Sequence, residues 1–160
     1  MPKARKMLSN WDAPYIQSLV SLIETQSKST LAHWAVDYAE QVILPIWSKH
    51  YPNDLRPQNA LSAAREWLSG VIKLPQARTA ILECHAAARE ADANPIAQAA
   101  ARAIGQSAST IHSSRHCIGL ALYGALAVAY DTLGMNAPRE QLEQCAADEC
   151  RHMLDALSPM

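Results

Sequence analysis

Apolar residues recur along most of this chain at i, i+3, i+4 and i+7, the period of one face of an α-helix. Ile16, Leu19, Val20 and Ile23 form the first such stripe. Asp12 stands before it as a candidate N-cap, with Pro14 in the first turn. The polar segment 25–29 ends it. A second helix is predicted over 30–49, with Leu31, Ala35, Tyr38, Ala39, Val42 and Ile46 on one face. Pro45 lies late in that helix. It lacks an N–H and clashes with the carbonyl of Gln41, so a kink or an early stop is expected. Residues 50–54 read as a loop from their turn-forming composition.

Pro57 suits the first turn of a third helix, and Gly70 suits its left-handed end. Pro75 opens a fourth, striped by Ala77, Ala80, Ile81, Cys84, Ala87, Ala88 and Ala91. Asn94-Pro95 is the strongest start signal, an N-cap residue followed by a first-turn proline. The fifth helix would bury Ala97, Ala100, Ala101, Ile104, Ala108 and Ile111. In it Ala97, Ala101 and Gly105 lie four apart, a groove that admits a close neighbour. A break is expected at Ser113-Ser114. A sixth helix runs over 116–133 to Gly134, and Pro138 starts a seventh with Leu142, Ala146, Glu149, Met153 and Leu157 on one line. No fixed-period repeat occurs. The pattern predicts an all-α fold: a single irregular bundle of about seven Ala-rich helices over 11–160, preceded by a flexible tail over 1–10.

Composition agrees. There are 29 alanines, five glycines and no phenylalanine in 160 residues. Alanine is the best helix former, whereas strands favour β-branched and aromatic residues. The net charge of −1 and the lack of a clustered basic surface argue against nucleic acid. The basic residues Lys3, Arg5 and Lys6 read as a solvated tail, and no signal peptide follows them. The uncharged run 117–130 is too short to span a membrane, so it is expected to be a buried core helix. A cytoplasmic protein is expected, with Cys84, Cys117, Cys145 and Cys150 reduced and used as small apolar side chains.

Few residues invite chemistry. Asp54 and Arg56 flank a helix start; they can clamp that end to the next element, or form a ligand or partner site. His85 edges the apolar face of the fourth helix. His112 and His116 would share a face if their helix were continuous, and two such imidazoles can chelate a metal. The segment lacks the glutamate of a metalloprotease helix, however, so structural or pocket-lining roles are favoured and no metal or other cofactor is expected. Trp34, Trp47 and Trp67 have core spacing, with Trp67 also a candidate pocket wall. Asp37 and Glu40 read as a solvated charged face. No nucleophile–base pair or phosphate loop can be assigned, so no catalytic residues are named.

Several stretches together resemble the small helical "putative immunity protein" family of bacteria. They are Leu31-Ala32-His33-Trp34-Ala35 with Val42-Ile43-Leu44-Pro45, Asp54-Leu55-Arg56-Pro57, and Ala63-Ala64-Arg65-Glu66-Trp67 ending at Gly70. His85-Ala86-Ala87-Ala88-Arg89, Ala100-Ala101-Arg102-Ala103-Ile104-Gly105-Gln106, and Thr110-Ile111-His112 with His116 and Tyr123 complete the set. The similarity covers roughly 30–130, with Gln58 and Cys117 as departures. It implies a non-enzymatic protein that protects its producer by binding a cognate toxin; the short uncharged run argues separately against a membrane partner. Homo-oligomerisation is not predicted. Asp54, Arg56, Trp67, His85, His112 and His116 are the candidate partner- or ligand-binding residues. Tyr51 and Trp47 are further candidate anchors near Arg56. The segment 139–155, with five carboxylates against Arg139 and Arg151, is a candidate acidic rim. The alternative is a small-molecule or metal-binding helical domain, or an enzyme, with Asp54, Arg56, His85, His112 and His116 around one pocket.

Overall fold

The computed structural model describes Leu8 and residues 12–158. These form seven helices and, among the described residues, no strand. Helix α1 is Pro14–Ile23. Helix α2 spans 28–50 as Lys28–Tyr38, a π turn at Ala39–Ile43, and Leu44–His50. Helix α3 is Arg56–Leu68, α4 is Leu74–Glu90 and α5 is Pro95–Ser109. Helix α6, Ser114–Leu133, contains a second π turn at Leu120–Gly124, and α7 is Arg139–Leu157.

Helix α5 is the axis of the bundle. Eleven of its residues are buried, which leaves little of it for solvent. It packs against α2, α3, α4 and α6, while α7 closes the opposite side on α1, α2 and α6. Alanine makes this possible: Ala97, Ala100, Ala101, Ala103 and Ala108 are wholly buried, and short side chains let neighbouring backbones approach. The groove at Ala101 and Gly105 receives α4, where the Cys84 thiol donates to the Ala101 carbonyl at 3.4 Å. Helix α6 is long and apolar enough, by length and composition alone, to cross a membrane. Within the bundle 56% of its apolar window is buried, as expected of a core helix.

Local signals governed most helix ends. The Asn94 side chain accepts from Ala97 N–H at 3.2 Å, the expected N-cap of α5. Gly70 has φ +77° and completes a Schellman ending, with Gly70 N–H bonded to Trp67 O and Val71 N–H to Glu66 O. The break before α6 falls at 110–113. Three expectations change. The N-cap of α1 is Ala13 rather than Asp12, which lies one residue outside it, exposed. Helix α2 begins two residues early, because Ser27 caps it through Thr30 N–H at 3.1 Å. Pro45 does not end α2. The π turn just before it bonds Leu44 N–H to Ala39 O, five residues back, and this wider turn accommodates the proline within a continuing helix.

The expected tail over 1–10 lies outside the described residues except for Leu8. That residue is buried, and its N–H donates to Leu122 O at 3.0 Å, within the π turn of α6. The four cysteines are unpaired. Burial pushes the Cys84, Cys117 and Cys150 thiols up to about 12, so all three are protonated at neutral pH.

Candidate functional site

The six candidate residues fall in separate places. Asp54 and Arg56 meet at the start of α3, while His85, His112 and His116 meet around a cleft at the junction of α4, α5 and α6. Trp67 is half-buried on the last turn of α3, packed against the core beside the Gly70 turn. The five polar candidates therefore do not form one pocket.

At the first place, Asp54 Oδ1 accepts from Arg56 Nε at 3.0 Å and from Arg56 N–H at 3.2 Å, and Asp54 Oδ2 accepts from Nη2 at 2.7 Å. Glu90, the last residue of α4, takes Nη1 at 2.8 Å and Nη2 at 3.2 Å. Four of the five guanidinium N–H groups thus point at carboxylates. The hydrogen bonds from Arg56 hold the Asp54 and Glu90 carboxyls below their usual range. The arrangement joins the 50–55 loop and the start of α3 to the end of α4. Trp47 supports it from below, donating Nε1–H to Asp54 O at 2.9 Å. Trp47 is 1% exposed, so it cannot serve as the surface anchor the sequence suggested. Tyr51 lies against its ring at 4.7 Å between centroids. Around this clamp runs an open cleft lined by His50, Tyr51, Asn53 and Leu55, the last 52% exposed.

Arg65 repeats the clamp pattern. It bonds Asp37 at 2.7 Å and Glu40 at 2.7 Å, tying α3 to α2. Asp37 and Glu40 are therefore inter-helix partners rather than a free charged face.

The histidine cleft is built differently. Its volume is about 350 Å³, and Arg78, Ile81, Leu82, His85, Ser109, His112 and His116 line it. Two glycines seat its rings. A Cβ at Gly105 would lie 2.6 Å from His85 Cε1, so only glycine lets that ring rest on α5. A Cβ at Gly119 would lie 2.5 Å from Gln106 Cγ, and Gln106 Oε1 bonds His116 Nδ1 at 2.8 Å. His116 and His112 pack edge to face at 5.4 Å across the break between α5 and α6. Burial, then the charges of Arg102, Arg89 and His116, hold the His85 pKa below the ordinary histidine value. Burial, then His116 and Arg78, do the same for His112. Both imidazoles are therefore mainly neutral at pH 7. His112 Nδ1 and Arg102 Nε are enclosed without hydrogen-bond partners. Among the described residues, no three His, Cys, Asp or Glu side chains are grouped to hold a metal ion.

Sequence reasoning missed one buried pair. Tyr38 O–H donates to Glu149 Oε2, and Glu149 is only 8% exposed. Burial, then Glu149, pushes the Tyr38 hydroxyl up, so it stays a donor. Position Glu149 on the apolar line of α7 was the available signal. Glu143 accepts from Tyr15 O–H at 2.9 Å. Two of the five carboxylates of segment 139–155 thus accept internal tyrosine hydroxyls, and the acidic rim reduces to Glu140, Asp148 and Asp155, facing Arg139 and Arg151.

No curated protein and no solved structure matches this chain. A family model, described as Imm-5 like putative immunity protein, matches residues 21–156 and takes in every helix from α2 to α7, both arginine clamps and all three cleft histidines. By that match across most of its length, the chain belongs to the Imm-5 like putative immunity protein family.

Proposed function

We propose that this protein binds and neutralises a cognate bacterial toxin in the cytoplasm, without turnover of its own. The observation that carries the reading is the family match over 21–156. The chemistry of the cleft and of the buried thiols agrees with a binding role. The three most buried thiols are held protonated, and the cleft presents the neutral imidazoles of His85 and His112 and the Arg78 guanidinium, which recognise rather than attack. A rigid bundle also loses little conformational freedom when it associates, which favours tight binding.

The test is to identify the genes that flank this one and co-express the protein with any toxin-like product among them. The protein is expected to restore growth and to co-purify with that product in a stoichiometric complex. Growth arrest despite full expression of soluble protein, together with no complex, would sink the reading.

One observation favours a second reading. Three histidines converge on a single cleft large enough for a small polar molecule. A small molecule that stays bound through purification, and leaves on His112→Ala substitution, would favour that alternative.

A further inference from the structure

We propose that the cleft bounded by Arg78, His85, His112 and His116 receives a carboxylate of the partner protein, an aspartate or glutamate side chain of the toxin. This rests on the toxin-binding reading above.

No carboxylate lines this cleft, nor the adjoining one formed by Gln106, Ser113, Arg115, His116 and Tyr123. Elsewhere the fold pairs its inter-helix arginines fully: Arg56 has Asp54 and Glu90, and Arg65 has Asp37 and Glu40. Arg78, Arg102 and Arg115 make no ion pair among the described residues. Of these, Arg78 lines the cleft and Arg102 acts on His85 from α5, whereas Arg115 also shares a groove with Glu24; the cleft thus keeps a positive field that no carboxylate in its lining answers. Two enclosed polar atoms, His112 Nδ1 and Arg102 Nε, also lack partners.

The shape selects the kind of anion. Ile81 and Leu82 form an apolar wall, and Leu82 is 65% exposed at the rim. Such a wall suits the methylene stem of a glutamate or aspartate and the partner surface around it. A free phosphate has no stem to bury. The rings need no ordering on association, because Gly105 seats His85 and the Gln106–Gly119 contact seats His116. Arg78 is exposed and can swing over an incoming carboxylate as a bidentate fork.

The titration behaviour adds a signature. His85 feels Arg89 on its own helix, Arg102 on α5 and His116 on α6, and His112 feels His116 and Arg78. An anion placed among them offsets those charges, so both imidazoles would gain proton affinity on binding. Linkage then requires tighter binding as pH falls from 7.5 toward 6.

The experiment has two arms. In the first, histidine ring signals are followed by NMR while acetyl-tetraglutamate amide, acetyl-tetraglutamine amide or inorganic phosphate is added. The glutamate peptide is expected to raise the pKa of His85 and His112, the glutamine peptide to leave them unchanged, and Arg78→Glu to abolish the response. A response to phosphate but not to the glutamate peptide would overturn the carboxylate assignment, and no response to either would overturn the site. In the second arm, Arg78→Glu and His112→Gln are tested for binding to the toxin identified by the co-expression test, with melting curves as folding controls. Binding is expected to weaken about tenfold or more for Arg78→Glu, and less for His112→Gln. Unchanged binding by both variants would overturn the cleft assignment while leaving toxin binding intact. If the wild-type protein binds no toxin, the functional reading itself fails, and this inference fails with it, whatever the peptide does.

Discussion

Two arginine-bearing regions of this protein look alike in sequence and differ in physics. At the start of α3, Arg56 has every accessible oxygen of Asp54 and Glu90 around it. At the α4–α5–α6 junction, Arg78 lines a cleft with three imidazoles and no carboxylate, and the Arg102 charge reaches His85 from α5. A guanidinium held by two carboxylates is neutralised and geometrically fixed, so it joins helices. Guanidiniums without partners retain their field, and that field is available to a ligand. Pairing state, more than residue type, separates the structural arginines from the candidates for recognition.

The comparison can be broken most forcefully through the glycines that seat the cleft. Gly119→Ala would drive a Cβ into the stem of Gln106, which cannot swing clear, so overpacking should cost about 1–3 kcal/mol. For a domain of this size that is a fall of roughly 2–4 °C in melting temperature per kcal/mol, readable by thermal denaturation. Gly105→Ala meets instead the far end of His85, which can rotate outward. It is expected to destabilise less than Gly119→Ala while displacing the His85 ring signal. Equal stability loss for both would mean that His85 is held as rigidly as Gln106.

The clamp comes next. Arg56→Ala releases two helix ends and leaves Asp54 and Glu90 facing each other, so the melting temperature should fall by roughly 2–4 °C. Rescue from the toxin should follow stability and no more. A partner-binding role for Arg56 would instead make the loss of rescue exceed the loss of stability. A melting curve and a growth assay on the same variant distinguish the two, and a selective loss of rescue would return Arg56 to the binding surface.

Acidification tests both regions in successive windows. His85 and His112 have folded pKa values below the ordinary 6.5, so the unfolded chain binds their protons more readily. Their contribution to stability is present above that value and is lost as pH falls through the folded values. The Asp54 carboxyl is likewise depressed, so its contribution persists to lower pH and disappears only below about 4. Urea denaturation across pH 7.5 to 3 should show two declines. The upper one should weaken in His85→Gln and the lower one in Asp54→Asn. A single decline near pH 4 in the wild type would show that the histidines carry no linkage.

The smallest effect sharpens the contrast most. Arg78→Ala removes an exposed, unpaired side chain and should change stability by less than about 0.5 kcal/mol. Because Arg78 is one of the charges that depress His112, its removal should raise the His112 pKa slightly. NMR titration of the ring signals measures this directly. A marked loss of stability would mean that Arg78 has a structural partner after all.

Much of the fold could be read in advance because its signals are local. The Asn94 cap, the first-turn prolines and the left-handed Gly70 act within a few residues of themselves, and each ended or started a helix where expected. The failures came where a distant neighbour decided the outcome. Pro45 was expected to kink or stop α2; the helix does not stop, because a π turn accommodates the proline, and that turn packs on the π turn of α6. Trp47 was a candidate anchor by its place near a loop, yet it is buried because its N–H reaches back to the Asp54 carbonyl. Glu149 lay on an apolar line and proved to be a buried carboxylate because Tyr38, 111 positions away, supplies a donor.

The sequence by itself determined the all-α class, the seven helices and the alanine-lined axis, since helical periodicity and alanine content act wherever the chain goes. It also identified the histidines and the Asp54–Arg56 junction as the residues that needed an explanation. Only the tertiary structure decided which of them are bound to one another. His112 and His116 stay together across a broken helix, His85 joins them because Gly105 leaves room for its ring, and Arg56 is claimed by Glu90, 34 positions along. Charge pairing depends on distances of a few ångströms between helices remote in sequence. Periodicity places a residue on a face; only packing brings the opposite charge to it or leaves it without one.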